Sequence, residues 1–259
     1  MEILSYFWYE YKSLVFLFGI IISSFILSIY FNWPKSLFEF KIKNKDVYIW
    51  VKIWDIFKSK WAIIVPINNK FDPEQSWYTS NKKSILSLLI KNVYDQRIQH
   101  IMQDIESNWI TVGGRYELWK TIKIEHKNRK FYLVCNTRIN SSGRSISTKE
   151  DIPPTLTFLF EHLSFSSDKE EIINIPLLNS GHWRIPDMTR EMIFKEIVYF
   201  FIEGLKNKDI CDKFIIYIHP DDVKKWEINI EKIVDFLKYN AENYRDINYI
   251  ISDNGLPTS

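Results

Sequence analysis

Residues Val51–Asp72 read VKIWDIFKSKWAIIVPINNKFD, and the fold class turns on this stretch. It joins the end of one apolar run, Val47–Ile53, to a second, Ala62–Ile67. Each run is too short for a typical helix and is rich in β-branched and aromatic residues, so both read as strands. The second run has no charged or amide side chain, which predicts a central strand covered on both faces, despite Pro66 near its end. Polar residues cluster where the runs stop, with Asp55 after the first and Asn68 and Asn69 after the second. In α/β sheets ligands meet the carboxyl ends of strands, where N–H groups of turns and helix starts are available.

Outward from this stretch the chain alternates extended and helical segments, the pattern of an α/β domain. Lys83–Ile105 carries Ile85, Leu88, Leu89, Ile98, Ile101, Met102 and Ile105 on one helical stripe, which predicts one long amphipathic helix. Gly113-Gly114 breaks the chain before Leu118–Ile124 and Phe131–Cys135, a predicted hairpin joined by the charged turn HKNRK. Asn140–Asp151 reads as a loop, Thr155–Phe165 as a helix started after Pro153-Pro154, and Ile172–Leu178 as a buried strand. Thr189–Leu205 predicts a helix capped by Thr189, Phe214–Ile218 the last strand, and Asn229–Tyr239 a final amphipathic helix.

The N-terminal region differs in kind. No charged residue lies between Lys12 and Lys35, and Leu14–Phe31 is apolar except for Ser23, Ser24 and Ser28. Ser13–Pro34 would make roughly 33 Å of helix at about 1.5 Å per residue, against a hydrocarbon core of about 30 Å. Tyr6, Trp8, Tyr9 and Tyr11 before the run, and Tyr30 and Trp33 at its end, supply the rings favoured at headgroup level. A cleaved signal peptide competes with this reading, but a short basic leader and a small-residue cleavage site are missing, and Glu2 and Glu10 lie on the leading side. Only Lys12 precedes the run, whereas Lys35, Lys41, Lys43 and Lys45 follow it. That bias predicts a single pass of the inner (cell) membrane with the rest of the chain cytoplasmic. The expected organisation is a membrane segment over 1–35, a juxtamembrane linker over 36–46, a ligand-binding domain over 47–240 and a polar tail over 241–259.

Composition excludes several classes. In 259 residues, 34 basic and 32 acidic side chains leave a net charge of +2, without the basic excess of a dedicated nucleic-acid binder. With 46% hydrophobic and 25% charged residues the chain can bury a core. Cys135 and Cys211 form neither a disulfide framework nor a cluster of zinc spacing, so no metal is expected. The chain has no GxSxG, HExxH, P-loop or GxGxxG motif, and its histidines are scattered. No catalytic residue and no cofactor are assigned.

Three stretches resemble a macro domain in the order that fold requires. In that family a strand runs into Gly-Asp-Ile, and a second, buried strand ends in an Asn-rich loop. Here Trp54 replaces the glycine, and Asp55-Ile56 and Asn68-Asn69 follow the pattern, with Phe71 beside them. The resemblance implies that Asp55 accepts from an adenine amine, that Ile56 adds apolar contact, and that Asn68 and Asn69 lie by the distal ribose. Read without the other matches, Asp55 is better taken as a helix N-cap or turn residue and the Asn pair as an ordinary turn. Ile172–Pro186 (IINIPLLNSGHWRIP) resembles the strand and diphosphate loop, with Leu178 leading into Asn179-Ser180-Gly181 in place of Gly-Thr-Gly, then His182, Trp183 and Arg184. Small residues there admit close approach of a phosphate to the backbone. Thr111-Val112-Gly113-Gly114-Arg115 resembles the turn that precedes a strand of the same fold.

Joined to an N-terminal membrane segment, the chain resembles the membrane-anchored macro-domain effectors of Thoeris antiphage defence, the ThsA-like macro-domain branch. The resemblance implies an α/β macro-domain-like three-layer α/β/α sandwich behind a transmembrane helix. It also implies a functional partner, a TIR-domain enzyme that consumes NAD and releases an ADP-ribose-derived signal, described as a histidine conjugate. The lipid bilayer is a further partner, and homo-oligomerisation on activation leads to membrane disruption. Two membrane helices are expected of such members, and one is countable here. The resemblance favours a non-enzymatic sensor. A membrane-tethered ADP-ribosyl hydrolase, with Asp72 and Glu74 as candidate acids, and a non-catalytic anchored interaction domain remain as alternatives.

Overall fold

The computed structural model describes residues 18, 21–24, 37–79, 84–165, 169–178, 185, 188–206, 208–224 and 228–244. The chain divides into two compact units, Met1–Ser36 and Leu37–Ser259. In the first, Phe18 and Ile21–Ser24 are helical with exposed side chains. The rest of the expected Ser13–Pro34 helix lies outside the described residues. No described helix is long and apolar enough to cross a membrane.

The second unit is built on one mixed sheet. Its strands are β1 (Leu37–Lys41), β2 (Tyr48–Ile53), β3 (Ala62–Asn68), β4 (Thr121–His126), β5 (Arg129–Ile139), β6 (Ser145–Ile146), β7 (Glu170–Pro176) and β8 (Cys211–Ile218). Their spatial order is β1-β2-β8-β7-β3-β5-β4, with the short β6 on β5. The five central strands are mutually parallel, and β1 and β4 close the edges antiparallel to their neighbours. The helices are α1 (Pro73–Thr79), α2 (Ile85–Asn92), α3 (Ile98–Glu106), α4 (Ile152–Phe165), α5 (Arg190–Leu205), α6 (Pro220–Lys224) and α7 (Ile230–Glu242).

Two apolar layers explain why β3 is apolar from Ala62 to Ile67. Ala62 and Ile64 face a core shared with α4, α5 and α7, through residues such as Leu156, Phe194 and Leu237. Ile63, Val65 and Ile67 face a second core filled by Trp77, Leu89, Ile101 and Ile105 of α1–α3. A strand covered on both faces has no solvent side on which to place polar residues.

Several elements depart from the sequence-based expectation. The segment Lys83–Ile105 is two helices, because the chain turns at Asp95 and Gln96, whose φ values are 52° and 65°. The break falls in the gap of the apolar stripe, and Tyr94 Oη, in that gap, donates to Asp104 of α3 at 2.7 Å. Helix α4 starts at Ile152, with Pro153 and Pro154 inside its first turn, where a missing N–H costs no hydrogen bond. The expected linker over 36–46 contains β1, whose Phe38 and Phe40 pack on the first core. The expected loop Asn140–Asp151 contains β6 and the 3-10 turn Lys149–Asp151. The β4–β5 hairpin forms through a two-residue turn, Lys127-Asn128, with φ of 50° and 60° at the two positions, as in a type I′ turn. Thr189 and Asn229 cap α5 and α7 by accepting from Met192 N and Lys232 N, each at 3.2 Å.

Candidate functional site

The parallel strands place five exits on one edge: after Ile53, Asn68, Ile139, Pro176 and Ile218. The exit of β3 leads to α1–α3 on one face, while that of β7 leads to α5 on the other. Strands β3 and β7 are neighbours, yet their ladder holds only two registered pairs, Ala62↔Ile173 and Ile63↔Asn174, both early in β3. Adjacent strands whose connections leave on opposite faces open a crevice between their carboxyl ends, the common ligand position in α/β sheets.

One wall of the crevice is the β3 exit. The register of β3 against β5 shifts between Ile67 and Asn68. Asn68, 2% exposed, uses its side chain to build the turn. Its Oδ1 accepts from Lys70 N at 3.0 Å and Asp72 N at 3.2 Å, and its Nδ2 donates to Asp72 O at 2.9 Å. Asn69 Oδ1 accepts from Ile139 N at 3.0 Å, tying the β3 exit to the end of β5. Phe71 has φ 48° and a fully buried ring, set edge-on against Tyr116 at 5.4 Å. Its side chain is therefore a support under the loop, not a surface that a ligand can touch in this conformation. Asp72 Oδ1 accepts from Gln75 N at 3.0 Å at the start of α1, and Gln75 Nε2 donates to Gly143 O of the β5–β6 loop.

The glycine turn belongs to the same wall. Gly113 N donates to Lys70 O at 2.9 Å and Tyr116 N to Asn69 O at 2.9 Å, so the turn props the Asn loop. Gly113 has φ +84°, while a Cβ on Gly114 would sit 2.9 Å from Thr111 O and 3.1 Å from the Tyr116 ring. Arg115, next in the turn, is exposed and Lys70 half-buried, leaving two cations beside the exit of β3.

Asp55 lies further along the edge, at the end of β2. Its Oδ1 accepts from Phe57 N at 3.0 Å, capping the 3-10 turn Ile56–Lys58. The carboxylate is exposed, so an acceptor lone pair remains for a second donor. Ile56 is 4% exposed and packs in the second core. Trp54 is 45% exposed, with Lys58 Nζ 4.7 Å from its ring centroid. Sequence reasoning misses this aromatic–cation pair beside Asp55, and the four-residue spacing of Trp54 and Lys58 is the signal that could have found it.

On the β7 side, Leu178 is 1% exposed and belongs to the first core. Asn179, Ser180, Gly181, His182, Trp183 and Arg184 lie outside the described residues. Ile185, beyond them, is again buried. Elsewhere, α4 and α5 flank a half-open hollow of 330 Å³ lined by Phe160, Glu161, Tyr199 and Glu203. Its cation, Lys206, is paired with Glu203 at 2.7 Å, and the hollow lies away from every strand exit. The crevice, where polar groups from separate elements converge, is the better candidate for chemistry. No group of metal-binding side chains occurs among the described residues.

The order of the strands, the switch point between β3 and β7 and the polar exits around it define an α/β ligand-binding domain of the macro-domain class. Residues 49–219 match the family model described as "Thoeris protein ThsA, Macro domain". The chain belongs to that family. In structure it is similar to a point mutant of the Oceanobacillus iheyensis macrodomain, with a TM-score of 0.51 and 12% identity over 85% of this chain and 100% of that one. The O. iheyensis macrodomain with ADP aligns at a TM-score of 0.47 and 13% identity, covering 85% and 100%. A Trypanosoma brucei macrodomain in complex with ADP-ribose aligns at 0.46 and 9%, covering 73% of each. No curated protein matches the sequence.

Proposed function

We propose that this protein is a membrane effector of antiphage defence whose cytoplasmic macro domain binds an ADP-ribose-derived signal. The observation that carries the reading is the parting of β3 and β7 after two registered pairs, on the sheet edge that also bears an exposed acceptor, Asp55, and the cations Lys70 and Arg115. An exposed carboxylate selects an amino-bearing purine edge, while cations and turn amides suit a diphosphate. Membership of the ThsA macro-domain family supports the same ligand class. The signal comes from a TIR-domain partner that consumes NAD, and a histidine conjugate of ADP-ribose is its form. Binding drives homo-oligomerisation, and the apolar run 14–31 disrupts the membrane.

The reading is non-enzymatic. Asp72, beside the Asn loop, commits Oδ1 to capping α1 through Gln75 N, while its backbone N and O bond the Asn68 amide and fix its place in the turn. Titration calorimetry of the full chain in detergent, with ADP-ribose and its amino-acid conjugates, tests both parts. Binding without turnover supports a sensor, turnover of an ADP-ribosylated substrate replaces it with a hydrolase, and no binding refutes the ligand class.

A further inference from the structure

The sheet has a second surface that the ligand crevice does not use. Phe38, Phe40, Ile49, Val51, Phe214 and Ile216 turn toward the first core, so alternation sends the intervening side chains of β1, β2 and β8 to the opposite face. There α1–α3 contact β3 and β4, and Tyr48, Trp50, Lys52 and Lys213 stay half-exposed. Across this face three lysines each lie over an aromatic ring. Lys41 Nζ is 5.4 Å from the Tyr48 centroid, Lys213 Nζ 5.2 Å from Trp50, and Lys52 Nζ 5.9 Å from Tyr217. Lys41 is paired with Asp46 of the β1–β2 turn at 3.1 Å, and Glu39 is the one carboxylate of β1.

We infer that this face, the lysine-over-aromatic layer of β1, β2 and β8, docks on an anionic lipid surface. Ammonium groups meet lipid phosphates while the half-exposed Tyr48 and Trp50 rings reach the headgroup zone, the division of labour seen at membrane interfaces, and Tyr217, 5% exposed, only supports Lys52 from the core. The chain itself holds the surface within reach. Edge strand β1 starts at Leu37, six residues after Phe31, so the connection spans at most about 20 Å. Protein partners would more commonly meet a greasy patch, whereas here cations stand above the rings. The inference rests on the reading of residues 14–31 as a membrane anchor.

The test reconstitutes the full chain into vesicles of phosphatidylcholine alone, and of phosphatidylcholine with phosphatidylglycerol, and measures lysine acylation by mass spectrometry. Docking slows acylation of Lys41, Lys52 and Lys213 by about five-fold in the anionic vesicles relative to the neutral ones. High salt abolishes the difference, while Lys149, on a remote exposed turn, reacts alike in both. The double substitution K52Q/K213Q should restore Lys41 reactivity in anionic vesicles and leave ADP-ribose affinity unchanged. Equal rates in both vesicles, with the protein still floating with them, overturn the docking face alone. Equal protection in both vesicles and in detergent means that another part of the chain or a second copy covers the face, which also overturns it. Failure to float with either vesicle removes the anchor, and the docking proposal with it.

Discussion

Asp55 does two things that one substitution confuses and two can separate. Its Oδ1 caps the 3-10 turn through Phe57 N at 3.0 Å, and its exposed carboxylate is the proposed acceptor for an adenine amine. Asp55→Ala removes both. Loss of the cap costs about 0.5–2 kcal/mol, and at about 2–4 °C per kcal/mol for a domain of this size Tm falls by roughly 1–8 °C. Loss of a hydrogen bond to a charged acceptor costs roughly 1.5–3 kcal/mol of binding, about ten-fold to over a hundred-fold in Kd. Asp55→Asn keeps the cap, since an amide oxygen accepts from Phe57 N as well as a carboxylate does. It turns a donor toward the adenine amine, so ADP-ribose should bind at least as poorly as to Asp55→Ala while Tm stays near the wild-type value. The same donor suits the exocyclic carbonyl oxygen of hypoxanthine, so Asp55→Asn should prefer the inosine analogue that the wild type rejects. Calorimetry with both nucleotides and thermal denaturation of all three proteins give the answer. Wild-type affinity for ADP-ribose in Asp55→Asn, or equal binding of both purines by the wild type, refutes the assignment.

Gly113→Ala should destabilise by about 1–2 kcal/mol in urea titrations, because φ +84° is unfavourable for a side chain, and Gly113→Asn should lose less. Asp222 and Arg190 form an ion pair at 2.6 Å with side chains 11% and 14% exposed, so Asp222→Ala should cost about 3–5 kcal/mol, measured by chemical denaturation, with a smaller loss when both partners are removed. Burial pushes the Cys135 thiol up to about 12 and the Cys211 thiol higher, so neither should react with a maleimide at pH 8 until the domain unfolds, as mass spectrometry would show.

The strands were legible because burial writes itself into composition. Ala62–Asn68 must satisfy two apolar layers, and a run with no charged residue announces that. The edge strand β1 was harder to read. LFEFK buries one face and exposes the other, and its five residues sit among lysines that read equally well as a solvated linker. The long helix failed for a different reason. Its apolar stripe skips from Leu89 to Ile98, and the gap includes Tyr94, which is held by a long-range partner, stacking on His126 of β4 at 4.0 Å. A contact with a strand more than twenty residues downstream leaves no local periodic trace.

The sheet edge that carries the candidate site was legible in the sequence, and the bonding of its side chains was not. Strand ends carrying Asp55 and Asn68-Asn69 point to one sheet edge from sequence alone, because parallel strands send all their exits there. Which atoms face a ligand depends on which are already engaged. An Asn amide can pair with ribose hydroxyls or close its own turn, and spacing does not distinguish the two. In the folded chain Asn68 closes the turn with both ends of its amide, and Asn69 commits its oxygen to Ile139 N. The amide Nδ2 of Asn69 has no protein partner among the described residues and is the one donor of the pair left for a ligand. For the proposed ligand, the donor that this wall can offer a ribose hydroxyl is therefore Asn69 Nδ2, with Asn68, Phe71 and the glycine turn shaping the loop that carries it.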